Sequence, residues 1–239
     1  MKYILITFLL CSFIKAEIID IALKFLDRDY ITNVLETDSK ERLIIDLDRL
    51  DCVTFIEYSL AKHFSKTPKD FNKTLTNIRY KNGLIDGYLS RNHYFLSWIA
   101  NNQQNGFLRD ITRDFNNSEV YSKNISFISK NIKLYPKIKK IEEIQKIEKE
   151  INSKNYFYIK KENLKDEIER IKSGDIIAIT TKIKNLDISH VGFAIWRDSK
   201  LHLLHASSKY KKVLISKKNL YQYLLDNKKQ SGILVLRVN

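Results

Sequence analysis

Residues 50–57 read Leu50-Asp51-Cys52-Val53-Thr54-Phe55-Ile56-Glu57, and this stretch contains the only cysteine beyond the first 16 residues. Asp51 is a favoured N-cap residue, and the apolar residues after it recur at helical spacing. The stretch therefore predicts a helix from Cys52 to about Phe64. A thiol in the first helical turn meets unpaired N–H groups and the helix dipole, which can lower its pKa to about 3.5–7.5. Two interpretations of Cys52 stay open at this point, a reactive thiol or a small buried apolar residue.

The first 16 residues have the pattern of an export signal. A positive charge at the start precedes a mainly apolar run over residues 3–14, and Ala16 supplies a small residue before the expected cleavage point. The run is too short to span a bilayer comfortably, so we expect a periplasmic or extracellular protein without stable membrane insertion. Lipid attachment at Cys11 stays open, although Leu10 before it is larger than such processing prefers.

Residues 17–239 have a length that suits one domain. The formal net charge of +14 comes from lysines scattered along the chain. A basic surface suits an anionic partner, but we find no nucleic-acid recognition motif, and export argues against a nucleic-acid partner. We expect the protein to be a monomer.

The apolar pattern is helical in the first part of this domain and alternates with period two in the last part. Helices are predicted at 18–26, 52–64, 69–80 and 93–102, with a further one that begins at Pro136. Residues 107–134 have a mixed pattern. Strands are predicted at 175–181, 189–196, 200–206, 212–215 and 232–238, with a helix at 217–225 before the last one. The fold class is therefore α+β, with a helical part over about 17–172 and a strand-rich part over about 173–239.

Two histidines of the strand-rich part are expected to lie together. A hairpin turn at Asp198-Ser199 would place Gly192 opposite His205, and His190 opposite Ser207. The two imidazoles would then share one face of the sheet as diagonal neighbours, at about 7–8 Å or somewhat less between Cβ atoms. The missing side chain of Gly192 would leave room between them. A one-residue change of register would move His205 to the other face.

A thiol near these histidines would have the groups that nucleophilic catalysis needs, because an imidazole can take the thiol proton and a third polar group can orient the ring. We take His190 as the candidate base and His205 as the group that orients it. His63 is a poorer candidate because it lies about three turns from Cys52 along the helix. A structural role for each histidine is the alternative. We expect no metal and no cofactor, since neither an HxxxH pair nor a CxxC motif occurs.

Six segments together resemble one family of enzymes. They are residues 50–57, Ile78-Arg79-Tyr80 with Gly83, Ser90-Arg91-Asn92-His93-Tyr94, Gly174-Asp175-Ile176-Ile177, Leu186-Asp187-Ile188-Ser189-His190-Val191-Gly192, and Leu204-His205-Ala206-Ser207. In this order they resemble the N-acetylmuramoyl-L-alanine amidase-like cysteine hydrolases of the NlpC superfamily. The resemblance implies a papain-like fold, in which N-terminal helices that carry the cysteine pack on a C-terminal antiparallel sheet that carries the histidines.

The resemblance also implies a role for each matching residue. Cys52 would be the nucleophile, His190 the base and His205 the third catalytic residue. Tyr30 would line the site together with Asp51, although the residues before Tyr30 are Asp27-Arg28-Asp29 where the family usually has a Gly-Thr-Pro-like approach.

Three further residues would bind substrate by the same resemblance. Arg91, His93 and Tyr94 would contact a carboxylate or a sugar, and a packing role at a helix start is the alternative for them. Asp51 likewise has the alternative of acting only as an N-cap.

The expected activity is that of an exported cysteine amidase on peptidoglycan or its muropeptides. It would hydrolyse the bond between N-acetylmuramic acid and L-alanine. The closest alternative is an NlpC-type endopeptidase that cuts between D-glutamate and the diamino acid of the stem peptide. A catalytically inactive wall-binding protein and a lipid-modifying acyltransferase are alternatives from other classes. Whether intact sacculi or small fragments are cut stays open.

Overall fold

The computed structural model describes residues 17–37 and 40–239. The expected export signal and Cys11 lie outside the described residues. The helices are α1 (Ile18–Leu23), α2 (Cys52–Phe64), α3 (Pro68–Arg79), α4 (Phe95–Gln104), α5 (Phe127–Lys130), α6 (Ile141–Asn152) and α7 (Leu220–Asp226). The strands are β1 (Asp29–Tyr30), β2 (Arg49–Leu50), β3 (Leu108–Asp110), β4 (Ser118–Val120), β5 (Phe157–Lys160), β6 (Ile176–Thr181), β7 (Ile188–Arg197), β8 (Lys200–Ser207), β9 (Lys212–Ile215) and β10 (Gln230–Val238).

The strands of the described residues form one sheet in the order β2-β1-β9-β8-β7-β6-β10-β5-β4, and β3 pairs with β10 beside β5. The β1–β2 pair at one edge is parallel, and the other pairs are antiparallel. The fold is thus mixed α and β with a large, mostly antiparallel sheet. Within the described residues, no helix is long and apolar enough to cross a bilayer.

Apolar side chains cover both faces of this sheet, because neighbouring residues of a strand point to opposite sides. On one face, Ile176 and Ala178 of β6 belong to a core cluster that includes residues of α1 to α6. On the other face, Ile177 and Ile179 pack in a second cluster with Leu220 of α7 and with residues of the loops. The first cluster fixes α2 against the sheet, and α2 carries Cys52 at its first residue.

Several predicted elements have other bounds in the structure. The helix expected from Pro136 begins at Ile141, because Ile138 instead closes a turn on the carbonyl of Tyr135. Ile138 nevertheless contributes to the core, so its apolar character fits the turn as well as a helix. The part expected to be helical also contains strands β1 to β5. Contrary to the expectation, the sheet is not entirely antiparallel, because the β1–β2 pair is parallel. The bounds of α2 and β9 are those that the sequence predicts.

Candidate active site

A capping box sets the start of α2 at Cys52. Asp51 Oδ1 accepts hydrogen bonds from the backbone N–H groups of Val53 at 3.0 Å and Thr54 at 2.8 Å. Thr54 Oγ1 in turn accepts one from the backbone N–H of Asp51 at 2.9 Å. These bonds satisfy N–H groups that a helix start otherwise leaves without partners. Asp51 therefore acts as the N-cap, and Cys52 occupies the first helical position.

Helix α2 brings Cys52 against strand β7. Phe55, one turn after Cys52, packs edge-to-face on Phe193 of β7, with ring centroids 5.6 Å apart. The backbone N–H of Val191, the residue after His190, faces the Cys52 thiol and lowers its pKa. The nucleophile expected from the sequence thus lies beside the strand that carries the expected base.

The electrostatic environment of Cys52 favours the neutral thiol. Burial, with a smaller contribution from the carboxylate of Asp51, raises the pKa of the Cys52 thiol to about 12. The nearby backbone N–H groups of Val191, Cys52 and Val53 lower this pKa but do not outweigh burial. The lowered thiol pKa that a helix start predicts is therefore wrong for this site, because desolvation penalises the thiolate more than the helix start stabilises it.

His190 and His205 are in direct contact. His190 Nε2 lies 2.6 Å from His205 Nδ1, and the two rings are nearly perpendicular, with centroids 4.9 Å apart. The β7–β8 ladder follows the register of a turn at Asp198-Ser199, from Arg197–Lys200 to Phe193–Leu204. The ladder ends at the Phe193–Leu204 pair. Past this point, His190 pairs with Ile179 of β6, and His205 pairs with Leu214 of β9.

Both imidazoles are neutral at pH 7. Burial lowers the pKa of His190 to about 4. Burial and the neighbouring His190 lower the pKa of His205 to about 3. A neutral imidazole has one N–H donor and one acceptor nitrogen. A hydrogen bond in which His190 Nε2 donates to His205 Nδ1 would leave His190 Nδ1 free to accept a proton.

Tyr30 lies near Cys52 and Asp51. Its backbone N–H donates to the carbonyl of Lys211 at 2.9 Å. Burial, together with the charges of Cys52 and Asp51, raises the pKa of the Tyr30 phenol to about 12. The altered loop before it is held by ion pairs of Asp27 with Lys212 and of Arg28 with Asp48.

Arg91, His93 and Tyr94 have internal partners in the structure. Arg91 is buried and pairs with Glu36 at 2.6 Å. His93 Nε2 lies 2.7 Å from the carbonyl of Tyr88, and burial lowers the pKa of His93 to about 3. The Tyr94 hydroxyl donates to Glu148 and accepts from the N–H of Ile128, both at 2.7 Å. None of the contacts described for Arg91, His93 and Tyr94 is with Cys52, His190 or His205. Substrate binding by Arg91, His93 and Tyr94 therefore stays a prediction.

A cleft of about 770 Å³ opens at the histidine pair. Its lining includes residues that the sequence analysis did not identify, among them Tyr223, whose ring lies 5.5 Å from that of His205, and Gln230. These residues come from α7 and β10, and only the fold brings them to the cleft. Across the described residues, no group of three or more His, Cys, Asp or Glu side chains could hold a metal ion.

The comparisons with known proteins place this fold among the amidase-like hydrolases. The chain belongs to the AmiA-like, N-acetylmuramoyl-L-alanine amidase-like family, whose model matches residues 20–233. A crystal structure of an N-acetylmuramoyl-L-alanine amidase from Bacteroides uniformis is 39% identical, with a TM-score of 0.88, and the match covers 93% of this chain and 99% of that one.

Two further crystal structures share the fold. One, from Bacteroides fragilis and solved as a candidate xylanase, is 40% identical with a TM-score of 0.86, over 92% of this chain and 100% of that one. The other, from Legionella pneumophila, is 25% identical with a TM-score of 0.75, over 93% of this chain and 88% of that one. No curated protein matches the chain.

Proposed function

We propose that this chain is an exported, papain-like cysteine amidase of the NlpC superfamily that hydrolyses the amide between N-acetylmuramic acid and L-alanine. The observation that carries the proposal is that Cys52 and the histidine pair meet at β7. The Cys52 thiol faces the N–H of Val191, and the adjacent His190 is hydrogen-bonded to His205. Membership of the amidase-like family and the name of the Bacteroides uniformis amidase support a cell-wall amide as the substrate.

The hydrogen bonds support distinct roles for the two histidines. His190 Nε2 donates to His205 Nδ1, so that His205 orients the ring and His190 Nδ1 acts as the base. Because the thiol and the imidazole are both neutral at rest, the proton moves from Cys52 to His190 as the sulfur attacks the carbonyl carbon. This order matches a general-base mechanism rather than a preformed thiolate.

The remaining steps return the site to its starting state. The Asp51 cap uses the N–H groups of Val53 and Thr54, which leaves the N–H of Cys52 to stabilise the oxyanion. The imidazolium of His190 protonates the amine of L-alanine, the C–N bond breaks, and the stem peptide leaves. His190 then takes a proton from water, whose oxygen attacks the thioester and releases the muramic acid carboxylate and the thiol.

A xylanase activity does not fit this site. Most glycosidases use two carboxyl groups about 5–9.5 Å apart on either side of the bond that is cut. The carboxylate in the lining of the cleft is that of Asp226, which is paired with Lys218.

The closest alternative remains the endopeptidase that cuts after D-glutamate, in which Asp51 would bind the free ammonium of L-alanine. Export to the periplasm or cell exterior belongs to the proposal as well.

Two synthetic compounds separate the amidase from the endopeptidase. One is N-acetylmuramoyl-L-alanyl-D-glutamyl-diamino acid, and the other is the same peptide without the sugar. We expect mass spectrometry to show intact stem peptide released from the capped compound and no reaction of the free one. Cleavage after D-glutamate in the free peptide would establish the alternative instead.

A further inference from the structure

The cleft at the histidine pair carries an excess of positive charge. Its lining includes four exposed lysines that form no ion pair with any described residue, namely Lys209, Lys217, Lys228 and Lys229. The one carboxylate of the lining, Asp226, is already neutralised by Lys218 at 2.5 Å. The cleft therefore has four uncompensated positive charges next to the proposed base, and like charges so placed favour an anionic ligand.

Two of these lysines converge on one exposed ring. The Nζ atoms of Lys209 and Lys217 lie 5.6 and 5.8 Å from the ring centroid of Tyr210. They come from different loops, since Lys209 precedes β9 and Lys217 follows it. The two ammonium groups thus lie near the same exposed ring in the lining of the cleft.

A buried carboxamide adds a neutral contact to this cleft. Gln230 lines it and is only 4% exposed, yet its Oε1 has no hydrogen-bond partner in the described part of the chain. Buried acceptors are rarely left unpaired in folded proteins. A peptide N–H of a bound ligand would supply the missing donor.

The position of the cleft decides which part of the substrate enters it. A general acid must reach the nitrogen of the leaving group. The cleft is lined by His190 and His205, whereas Cys52, Asp51 and Tyr30 are not in its lining. The leaving group, which is the stem peptide, therefore extends into the lysine-rich cleft, and the sugar lies on the side of Tyr30 and Asp51.

We propose that this cleft is a subsite that selects stem peptides by their free carboxylates and discriminates against amidated ones. The inference rests on the proposed amidase function, because the orientation follows from His190 acting as the acid. The α-carboxylate of D-glutamate is the nearest anionic group to the bond that is cut, and its amidation removes the charge without changing the shape.

Two muramyl dipeptides test this selection. They are N-acetylmuramoyl-L-alanyl-D-glutamate and its D-isoglutamine counterpart, which differ only in a carboxylate against a carboxamide. We expect calorimetry with the Cys52→Ala protein to give about fivefold tighter binding of the acid, the size of one or two exposed ion pairs. The preference should disappear between about 0.01 and 1 M salt, as the Debye length falls from about 30 to 3 Å.

Matched variants assign the effect to the cleft. The preference for the acid should be lost when the four cleft lysines are changed to Gln. It should persist when four exposed lysines elsewhere, Lys66, Lys69, Lys146 and Lys149, are changed to Gln. Equal binding of both compounds to the Cys52→Ala protein, or a preference that survives loss of the cleft lysines, overturns the proposal. Because binding is measured without turnover, failure of the amidase reaction in the wild-type protein is a separate result.

Discussion

Cys52 lies where two opposing electrostatic effects meet. The helix start and the N–H of Val191 stabilise a thiolate, while burial and the Asp51 carboxylate destabilise it. Burial dominates, and the same desolvation keeps His190 neutral. A reactive thiol therefore requires proton transfer to His190 during attack, so the residue that orients His190 bears directly on the rate.

The pH dependence of thiol alkylation tests this balance. We expect the rate constant for reaction of Cys52 with iodoacetamide to rise about tenfold per pH unit from about pH 6 to pH 9. Only the thiolate reacts, and at any pH below the thiol pKa the thiolate fraction rises about tenfold with each added pH unit. Intact-protein mass spectrometry measures the rate, and the Cys52→Ala protein shows any background reaction. A rate that is constant below pH 7 would instead indicate a preformed thiolate–imidazolium pair.

Sequence could predict the residues of the site where a local signal exists. The Asp51 cap and the turn at Asp198-Ser199 fix Cys52 and the histidine register through neighbouring residues. The partners of Arg91 and Tyr94 could not be predicted, because Glu36 and Glu148 lie 55 and 54 residues away in the chain.

Strands β7 and β8 form the element on which the histidine pair depends. Gly192 faces the backbone of β8, so that a Cβ there would lie 2.8 Å from the carbonyl oxygen of Leu204 and 2.9 Å from the Cβ of His205. The absent side chain therefore allows the close approach of the two strands beside the imidazoles.

Substitution of Gly192 should separate the strands. We expect Gly192→Ala to lower the free energy of unfolding by about 1–3 kcal/mol, as overpacking does, and to lower kcat more than tenfold by displacing His205. Gly106→Ala is the matched control, since nothing lies within 4 Å of its Cβ position and its φ of +74° costs only local strain. It should destabilise the protein by about 1 kcal/mol and leave kcat unchanged. Urea unfolding and steady-state kinetics measure both variants, and wild-type kcat in Gly192→Ala would contradict this account.

The elements differ in how far sequence predicts them. Helix α2 has a cap, an apolar face and a following proline, so its bounds follow from local signals. Strands β3, β4 and β5 have only three or four residues and lie at the far side of the sheet, where they pair with one another or with β10. Their pairing depends on distant partners rather than on their own pattern.

In the molecule as a whole, a buried ion pair joins α2 to α3, and its arginine also holds the segment that precedes the site. Arg79 of α3 pairs with Glu57 of α2 at 2.7 Å, and both side chains are almost fully buried. Arg79 also donates to the carbonyl of Ile44 at 2.6 Å, which attaches the segment that leads to Cys52.

Removal of one partner should cost much stability. We expect Arg79→Leu to lower the free energy of unfolding by about 3–5 kcal/mol, because Glu57 would keep a buried charge without its partner. Lys160→Gln, which breaks the exposed pair with Glu119, should change the free energy of unfolding far less, because solvent screens that pair. Urea unfolding at pH 7 compares the two, and equal costs would show that the Arg79–Glu57 pair is not a principal constraint on the fold.

The measurement that tests the central claim most directly is hydrolysis of the muramyl-capped peptide by the wild-type and Cys52→Ala proteins, each with and without a chelator. We expect the wild-type protein to release the stem peptide equally with and without chelator, and Cys52→Ala to lose activity while its circular dichroism spectrum is unchanged. Turnover by a folded Cys52→Ala protein, or activity that a chelator abolishes and zinc restores, would contradict a thiol mechanism.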